Sequence, residues 1–223
     1  MKITLSANAG VCIQVEQHRI WVDALHSQQQ PGFSAVSAEM FSKVLGCEEF
    51  KDPNYICVTH CHPDHYDAQM VEAAMERYPE AKLCLPSVDT PKVECEGFCL
   101  EFIRLPHEGA QYANVLHYGI LITVEGKHIL LPGDCETASA TLAQAIGEKQ
   151  IDLAILNFPW VTLSKGRNFL NQILKPKHTL LCHLPFEADD VSGFRASAQR
   201  NAQLMDMDIW LLKEPLQTEE VNI

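Results

Sequence analysis

The stretch Thr59-His60-Cys61-His62-Pro63-Asp64-His65-Tyr66-Asp67 places three histidines and an aspartate within six consecutive positions. It directly follows the apolar run Tyr55-Ile56-Cys57-Val58, which predicts a short buried strand. A polar cluster at the carboxyl end of a buried strand is typical of a site that carries chemistry, because the strand holds the exposed loop still. The first two histidines share one face of an extended segment and can reach one cation. The aspartate and the third histidine follow the turn at Pro63, so the spacing predicts a second cation beside the first.

Two plainer interpretations of this stretch are a histidine-rich surface loop and a single structural zinc. A surface loop has no reason to place four candidate metal ligands directly after a buried strand, and such a cluster is far from what chance would give. A structural zinc usually recruits cysteines into a closed set of four ligands. The nine cysteines of the chain have neither zinc-finger nor disulfide-framework spacing. We therefore favour a functional metal site.

The composition indicates one acidic globular domain over residues 1–223. Apolar residues make up 47% of the 223 residues, and the sequence has no segment of eighteen or more apolar residues that could span a bilayer. An odd number of cysteines fits reduced thiols, and the N-terminal residues lack the features of a secretory signal, so we expect a cytoplasmic protein. With 17 basic and 29 acidic residues the net charge is −12, which argues against a nucleic-acid partner.

Several further predicted strands also end in a histidine or an aspartate. Residues 2–7, 10–16 and 19–23 predict an antiparallel meander. Helices are predicted over 37–44, with Ser37 as N-cap, and over 68–78, with Asp67 as cap. Later strands end in His107, Asp134 and His183, and strand ends can meet along one edge of a pair of mixed sheets. The remaining predictions are a hairpin over 93–105, helices over 137–147, 164–174 (with Ser164 as cap) and within 188–205, and strands over 81–85, 113–124, 127–131, 153–156, 179–182 and 209–212.

The histidine stretch resembles the H-x-H-x-D-H signature of the metallo-beta-lactamase-fold hydrolases at every defining position. The resemblance extends through nearly the whole chain: an antiparallel opening, the signature, a lone histidine, a Gly-Asp pair after a strand, and a late histidine before an apolar-Pro corner. It implies an α+β fold, namely a four-layer αββα sandwich of two mixed sheets with helices on the outer faces. It assigns His60, His62 and His107 to the first metal, Asp64, His65 and His183 to the second, and Asp134 to both as a bridge.

The lone histidine has a competitor nearby. His117 begins a strand shortly after His107 and is an alternative third ligand of the first metal. We prefer His107, because it closes a strand beside Pro106 and Gly109, whereas His117 lies where a strand should pack.

The resemblance implies a dinuclear metal-dependent hydrolase, with Asp64 and Asp134 as catalytic residues. Imidazoles and carboxylates suit zinc, which we expect, and also manganese or iron. A water shared by two such ions is a hydroxide near neutral pH and can attack a small ester, lactone or phosphoester. The alternative is a non-hydrolytic metal-binding protein that uses the same site for sensing or partner docking; a redox use of iron is a third interpretation.

Four residues are candidates for holding a substrate: His26, Trp160, Lys165 and Arg167. The histidine follows the third strand of the meander, and the other three follow the strand over 153–156. Each also has an ordinary structural interpretation, as a locally bonded histidine, a packed aromatic ring or a solvated helix start. We expect a small-molecule substrate and no membrane partner, and the sequence leaves a homo-oligomer open.

Overall fold

The computed structural model describes residues 1–28, 30–87, 92–95 and 97–223. The chain divides into two compact units, each described by itself. Unit 1 comprises Met1–Pro86, Cys182–Arg195 and Leu212–Asn222, and unit 2 comprises Ser87–Leu181, Ala196–Leu211 and Ile223. A single domain over residues 1–223 stays a prediction.

The regular elements are thirteen strands and six α-helices within the described residues. The strands are β1 (Lys2–Leu5), β2 (Val11–Val15), β3 (His18–Val22), β4 (Tyr55–Cys57), β5 (Lys82–Cys84), β6 (Val93–Cys95), β7 (Phe98–Arg104), β8 (Tyr118–Val124), β9 (Lys127–Leu131), β10 (Leu153–Asn157), β11 (His178–Cys182), β12 (Ile209–Leu211) and β13 (Thr218–Glu220). The helices are α1 (Ala38–Gly46), α2 (Ala68–Arg77), α3 (Ala140–Ile146), α4 (Pro159–Thr162), α5 (Ser164–Phe169) and α6 (Phe194–Ala202).

Unit 1 contains a mixed sheet of six strands in the order β13-β1-β2-β3-β4-β5. The strands β1, β2 and β3 form the predicted antiparallel meander. Strands β4 and β5 then join in parallel, with Val22 opposite Cys57 and Cys57 opposite Cys84. The carboxyl ends of β3 and β4 therefore lie at the same edge of the sheet, which is where the histidine stretch begins.

The core of unit 1 is organised around Trp21, a fully buried side chain of β3. Its ring packs edge-on against Phe50 and Tyr78, with centroid distances of 5.5 and 5.7 Å. Helices α1 and α2 add Val44 and Val71 to the same cluster. Burial of side chains of this size contributes about 1.5–3 kcal/mol each, so this cluster is a large part of what holds the strand ends in place.

Both predicted helix caps in unit 1 are confirmed. The side chain of Ser37 accepts a hydrogen bond from the amide of Met40 at 3.1 Å and begins α1. Asp67 accepts hydrogen bonds from the amides of Gln69 and Met70 at 2.9 and 3.0 Å and begins α2. Because Asp67 is the last residue of the histidine stretch, the start of α2 also fixes the end of that stretch.

Unit 2 contains a mixed sheet of seven strands in the order β12-β11-β10-β9-β8-β7-β6. Strand β8 is antiparallel to both β7 and β9, and β10 is parallel to β9. Strands β7, β9 and β10 therefore run in one direction, and their carboxyl ends lie at one edge of this sheet. Fully buried residues such as Leu100, Ile120 and Leu130 supply the core of the unit. The predicted hairpin over 93–105 corresponds to β6 and β7, and its residue 96 lies outside the described residues.

Two predicted helices differ from the structure. The helix predicted over 164–174 is α5, whose cap is Leu163 and not Ser164, followed by a five-residue π-helix, Leu170–Leu174. The last helix is shorter than predicted, because the carboxylate of Asp190 accepts hydrogen bonds from the first two amides of α6 and fixes its start. Within the described residues, no helix has the length and apolar character needed to cross a bilayer.

Candidate metal centre

The parallel pairing of β3 and β4 brings Asp23 next to the start of the histidine stretch. Asp23 directly follows β3, and its amide donates to the carbonyl oxygen of Cys57 at 3.0 Å. The amide of Thr59 donates to Asp23 Oδ1 at 2.7 Å, and the Thr59 hydroxyl donates to Oδ2 at 2.6 Å. The aspartate is only 3% exposed. The structure therefore makes Asp23 a buried hydrogen-bond acceptor attached to the histidine stretch.

Asp23 also determines which ring nitrogens of two histidines carry a proton. Its Oδ2 lies 2.9 Å from His65 Nδ1, and since a carboxylate only accepts, Nδ1 donates and the neutral ring has its lone pair on Nε2. The Thr59 hydroxyl, whose hydrogen points to Asp23, lies 3.0 Å from His60 Nδ1. That nitrogen is therefore also the donor, and the lone pair of His60 is on Nε2. Hydrogen bonds of this kind orient metal-binding histidines.

The ligand atoms predicted in unit 1 converge on one another. His60 Nε2 lies 3.0 Å from His62 Nδ1. His65 Nε2 lies 3.2 Å from His183 Nε2, which is in turn 3.6 Å from Asp64 Oδ2. Asp64, His65 and His183 each place one ligand atom within 4.8 Å of the others, as residues that share a metal ion do. The five predicted ligands of unit 1 thus lie together, and this donor set of nitrogens and carboxylate oxygen fits a divalent cation.

His183 reaches this cluster from the carboxyl end of β11. Its amide donates to the carbonyl oxygen of Asn8 at 2.7 Å, and the edge of its ring packs against Phe33 with a centroid distance of 4.7 Å. The backbone of His183 has φ +57°, a left-handed conformation that is uncommon for a residue other than glycine. Asp23 has φ +51°. Such strained residues concentrate at functional sites, where the surrounding structure holds them in place.

In unit 2 the predicted ligands His107 and Asp134 lie beside each other. They follow β7 and β9, the strands whose carboxyl ends share an edge. The Glu108 amide donates to the Asp134 carbonyl oxygen at 2.8 Å, and an isolated bridge pairs His107 with Cys135. His107 Nε2 lies 3.9 Å from Asp134 Oδ2. Each unit therefore presents histidine and aspartate side chains where its strands end.

Both histidines of unit 2 have Nδ1 near a backbone carbonyl oxygen. His107 Nδ1 donates to the Glu108 carbonyl oxygen at 2.8 Å, so the lone pair of the neutral ring is on Nε2, the atom near Asp134. His117 is fully buried, and its Nδ1 lies 3.3 Å from the carbonyl oxygen of Leu105. The choice between the two histidines stays a prediction.

Two of the four predicted substrate residues are fully buried. His26 lies in unit 1 with Nε2 at 3.2 Å from the carbonyl oxygen of Ala7. Burial lowers the pKa of His26 to about 4, so the imidazole is neutral at physiological pH. Trp160, in unit 2, packs edge-on against Phe169. For both residues a role in substrate binding stays a prediction.

The other two predicted substrate residues make polar contacts within unit 2. Lys165 Nζ pairs with both carboxylate oxygens of Glu108, at 2.7 and 3.0 Å. The Arg167 guanidinium donates to the carbonyl oxygens of Val161 and Thr162 at 2.7 and 3.0 Å. Their predicted contact with substrate is likewise untested.

Sequence reasoning missed one residue of unit 2 that contacts a predicted ligand. Asn157, the last residue of β10, donates from Nδ2 to Asp134 Oδ1 at 3.0 Å. The only sequence signal was its place at a strand end. Recognising it requires knowing that β10 pairs with β9, which the sequence does not state.

Comparisons with known proteins identify the fold. No protein-family model and no curated protein sequence matches the chain. Among solved structures, it is similar to Igni18, a metallo hydrolase from the archaeon Ignicoccus hospitalis, with 13% identity over 99% of both chains and a TM-score of 0.67. An isothiocyanate hydrolase from Delia radicum gut bacteria matches at 15% identity over 99% of both chains, also with a TM-score of 0.67. The metallo-beta-lactamase fold protein YhfI from Bacillus subtilis matches at 13% identity over 98% of both chains with a TM-score of 0.60.

At these identities the likeness establishes the fold. The chain is a metallo-beta-lactamase-fold protein, as the signature predicted. The predicted α+β class with two mixed sheets is confirmed. Its structural neighbours include proteins described as metal-dependent hydrolases, and the chain has His/Asp groups that could hold metal.

Proposed function

We propose that this protein is a dinuclear metal-dependent hydrolase of a small ester, lactone or phosphoester. The observation that carries the proposal is the convergence of Asp64, His65 and His183 in unit 1, with the nearest nitrogens of the two histidines 3.2 Å apart. Because His65 Nδ1 donates a hydrogen bond to Asp23, the nitrogen that faces His183 carries the lone pair of the neutral ring. Such an arrangement suits a cation better than it suits a hydrogen-bonded core.

The proposed ligand sets are those that the signature implies. Five of the seven assigned side chains belong to unit 1 and two belong to unit 2. The donors are neutral imidazoles and carboxylates, which suit zinc, the expected metal, and would also accept manganese or iron. The first metal is assigned His60, His62 and His107, the second is assigned Asp64, His65 and His183, and Asp134 is assigned to both.

The side chains of the site have separable tasks in such a reaction. Two divalent cations bound there would lower the pKa of a water and polarise the carbonyl or phosphoryl oxygen of a substrate. Asp23 and Thr59 hold the protons of His65 and His60 on Nδ1, which keeps both Nε2 atoms available as ligands. Asp64 and Asp134 are the proposed catalytic residues, because a carboxylate oxygen beside the reacting bond can orient a water by accepting its hydrogen bond.

The properties of the chain favour a small substrate. A net charge of −12 repels polyanions at long range, so we propose no nucleic-acid partner, and we propose no membrane partner either. Phe33 packs against His183 and stacks on Phe194, which places apolar surface next to one proposed ligand. Lys165 is the proposed contact for an anionic group of the substrate. A cytoplasmic location remains part of the proposal.

The test is turnover after controlled metal loading. Protein stripped of metal would be reloaded with zinc, manganese or iron, and bound metal would be counted by elemental analysis. Substrates would be bis-p-nitrophenyl phosphate, a panel of lactones, an aryl ester and an isothiocyanate. The variant Asp134→Ala should lose activity by at least about 100-fold, because metal-assisted polarisation supplies several kcal/mol. The matched control is Asp206→Ala, at an exposed aspartate of the same unit that should leave the rate unchanged.

Each outcome discriminates between the hypotheses. Equal rates for wild type and Asp134→Ala would remove the support for a hydrolase. Two bound metals per chain with no turnover of any substrate, and a stable partner in pull-downs, would favour the metal-binding protein without hydrolytic activity. Two bound irons with oxidation of a substrate would favour the redox interpretation.

A further inference from the structure

The backbone around Asp134 is fixed from one side by the strand end that carries His107. The Asp134 carbonyl oxygen accepts from the Glu108 amide at 2.8 Å, and the Glu136 amide donates to the Pro106 carbonyl oxygen at 2.8 Å. These two hydrogen bonds flank the bridge between His107 and Cys135. They fix the main chain at Asp134, but they leave the rotation of its carboxylate to other contacts.

One contact that restrains this carboxylate is a hydrogen bond from Asn157. Strand β10 is parallel to β9, so its last residue lies beside the segment that follows β9. Asn157 Nδ2 donates to Asp134 Oδ1 at 3.0 Å. The orientation of the amide is forced, because a carboxylate only accepts hydrogen bonds, and a flipped amide would set two acceptors against each other.

The opposite end of the same amide lacks a hydrogen bond within the described residues. With Nδ2 towards Asp134, Asn157 Oδ1 is buried and has no hydrogen-bond partner within the described residues. A buried acceptor without a donor is unfavourable, and a leucine of similar size would avoid it. Within the described part of the chain, the hydrogen bond that the Asn157 side chain makes is the bond to Asp134.

We propose that Asn157 is a positioning residue that fixes the carboxylate of Asp134 for metal binding. The inference rests on the proposed function, since it gives Asp134 the role of a ligand. The hydrogen bond engages Oδ1 and thereby turns Oδ2 to the side of His107, whose Nε2 lies 3.9 Å away. Without it the carboxylate loses this restraint on rotation about its Cβ–Cγ bond, and a metal must restrict the added motion itself.

The variant Asn157→Leu tests this role because it keeps the volume and removes the donor. Metal affinity would be measured on metal-free protein by competition with a chromophoric chelator for zinc, and thermal unfolding would be followed on the same metal-free samples. We expect zinc to bind about 10- to 100-fold more weakly, the range seen when a residue that orients a ligand is lost. The Tm of the metal-free variant should equal or exceed that of wild type, because the buried unpaired acceptor is gone. With cobalt in place of zinc, the absorption spectrum of the bound metal should change, because the orientation of the Asp134 ligand changes.

The matched control is Asn201→Leu, in the same unit. The Asn201 amide donates to the Ser197 carbonyl oxygen at 2.9 Å and accepts from Arg167 at 3.2 Å. This variant should lower the Tm and leave zinc affinity at the wild-type value. The pair thus separates loss of an asparagine hydrogen bond in general from loss of the bond to Asp134.

The result that overturns the inference is an Asn157→Leu protein that binds both zinc ions within twofold of wild type. A loss of affinity accompanied by a Tm as low as that of Asn201→Leu would also overturn it, because the role would then be structural. Failure of the proposed function looks different. If the wild-type protein binds fewer than two ions, the dinuclear site itself is refuted. If it binds two ions but hydrolyses none of the substrates, the hydrolase is refuted. The positioning role of Asn157 is then still supported if the variant binds zinc more weakly.

Discussion

Replacing Asp23 with asparagine should weaken metal binding, although Asp23 is not one of the proposed ligands. The carboxylate accepts three hydrogen bonds, from the Thr59 amide, the Thr59 hydroxyl and His65 Nδ1. An asparagine carbonyl can replace one carboxylate oxygen, but its amide group would then face donors at the other. With the amide group in the place of Oδ2, the His65 ring would have to move its proton to Nε2, the atom that lies 3.2 Å from His183 Nε2. A protonated nitrogen cannot bind a metal.

The expected losses in stability and in metal affinity can be estimated from the hydrogen bonds that the substitution removes. In the metal-free protein two donors lose a charged acceptor, which costs about 3 kcal/mol at roughly 1.5 kcal/mol each. Relief of the buried charge reduces this figure, so we expect a loss of about 2–3 kcal/mol in the free energy of unfolding. Loss of ligand orientation should weaken metal binding by a further 10–100-fold, or roughly 1.4–2.7 kcal/mol.

Three measurements check this prediction. Urea unfolding of the metal-free protein gives the stability, zinc titration gives the affinity, and nitrogen-15 spectra of the histidine rings report which nitrogen carries the proton. The control is Asp152→Asn in unit 2, where another buried aspartate accepts from a lysine and a backbone amide. It should lose stability without losing zinc affinity. An Asp23→Asn protein with zinc affinity within twofold of wild type, and with His65 still protonated on Nδ1, would refute the reasoning.

Three further predictions concern stability. Burial raises the pKa of Asp152, but the hydrogen bond and charge of Lys177 and a backbone amide together hold the pKa below its ordinary value. This carboxylate therefore stabilises the fold above about pH 4, and its contribution is lost as pH falls through the folded-state pKa. The difference in stability between wild type and Asp152→Asn should therefore disappear in acid, and a difference that does not change with pH would contradict the prediction. Ser37→Ala removes the cap of α1 and should cost about 1 kcal/mol in urea unfolding, whereas Ser37→Asp should cost little, so equal losses would count against the cap. Gly166→Ala places a Cβ 2.5 Å from the carbonyl oxygen of Trp160. This clash should lower the free energy of unfolding by about 1–3 kcal/mol, even though alanine has the better helix propensity. An unchanged Tm would show that α5 can shift to relieve the clash.

The local features of this fold could be predicted from the sequence because they depend on neighbours along the chain. Alternating apolar residues gave the opening meander, and side-chain oxygens just before apolar helical spacing gave the caps at Ser37 and Asp67. The signature and the later strand ends predicted seven ligands, and the five in unit 1 lie together. The start of α6 was missed, since Asp190 caps it from a turn whose geometry the sequence pattern does not show.

The partners of the residues that orient the ligands could not be predicted, because these residues act across strand pairings that are not local. Asp23 is separated from Thr59 by thirty-six positions and Asn157 from Asp134 by twenty-three. Each pair becomes adjacent only once β3 is known to pair with β4 and β9 with β10. Neither pairing follows from a hydrophobic period, which identifies a strand but not its neighbour.

The same arrangement recurs in both units and gives a physical reason for where the orienting residues lie. In a parallel pair both carboxyl ends are at one edge, so a polar residue that closes one strand can reach the segment that follows its neighbour. Asp23 does this for the segment after β4, and Asn157 does it for the segment after β9. One supplies an acceptor that fixes the protons of two imidazoles, and the other supplies a donor that fixes a carboxylate. Each therefore has the hydrogen-bonding character opposite to that of the group it orients, which is what a metal ligand requires of its neighbour if its lone pairs are to face the ion.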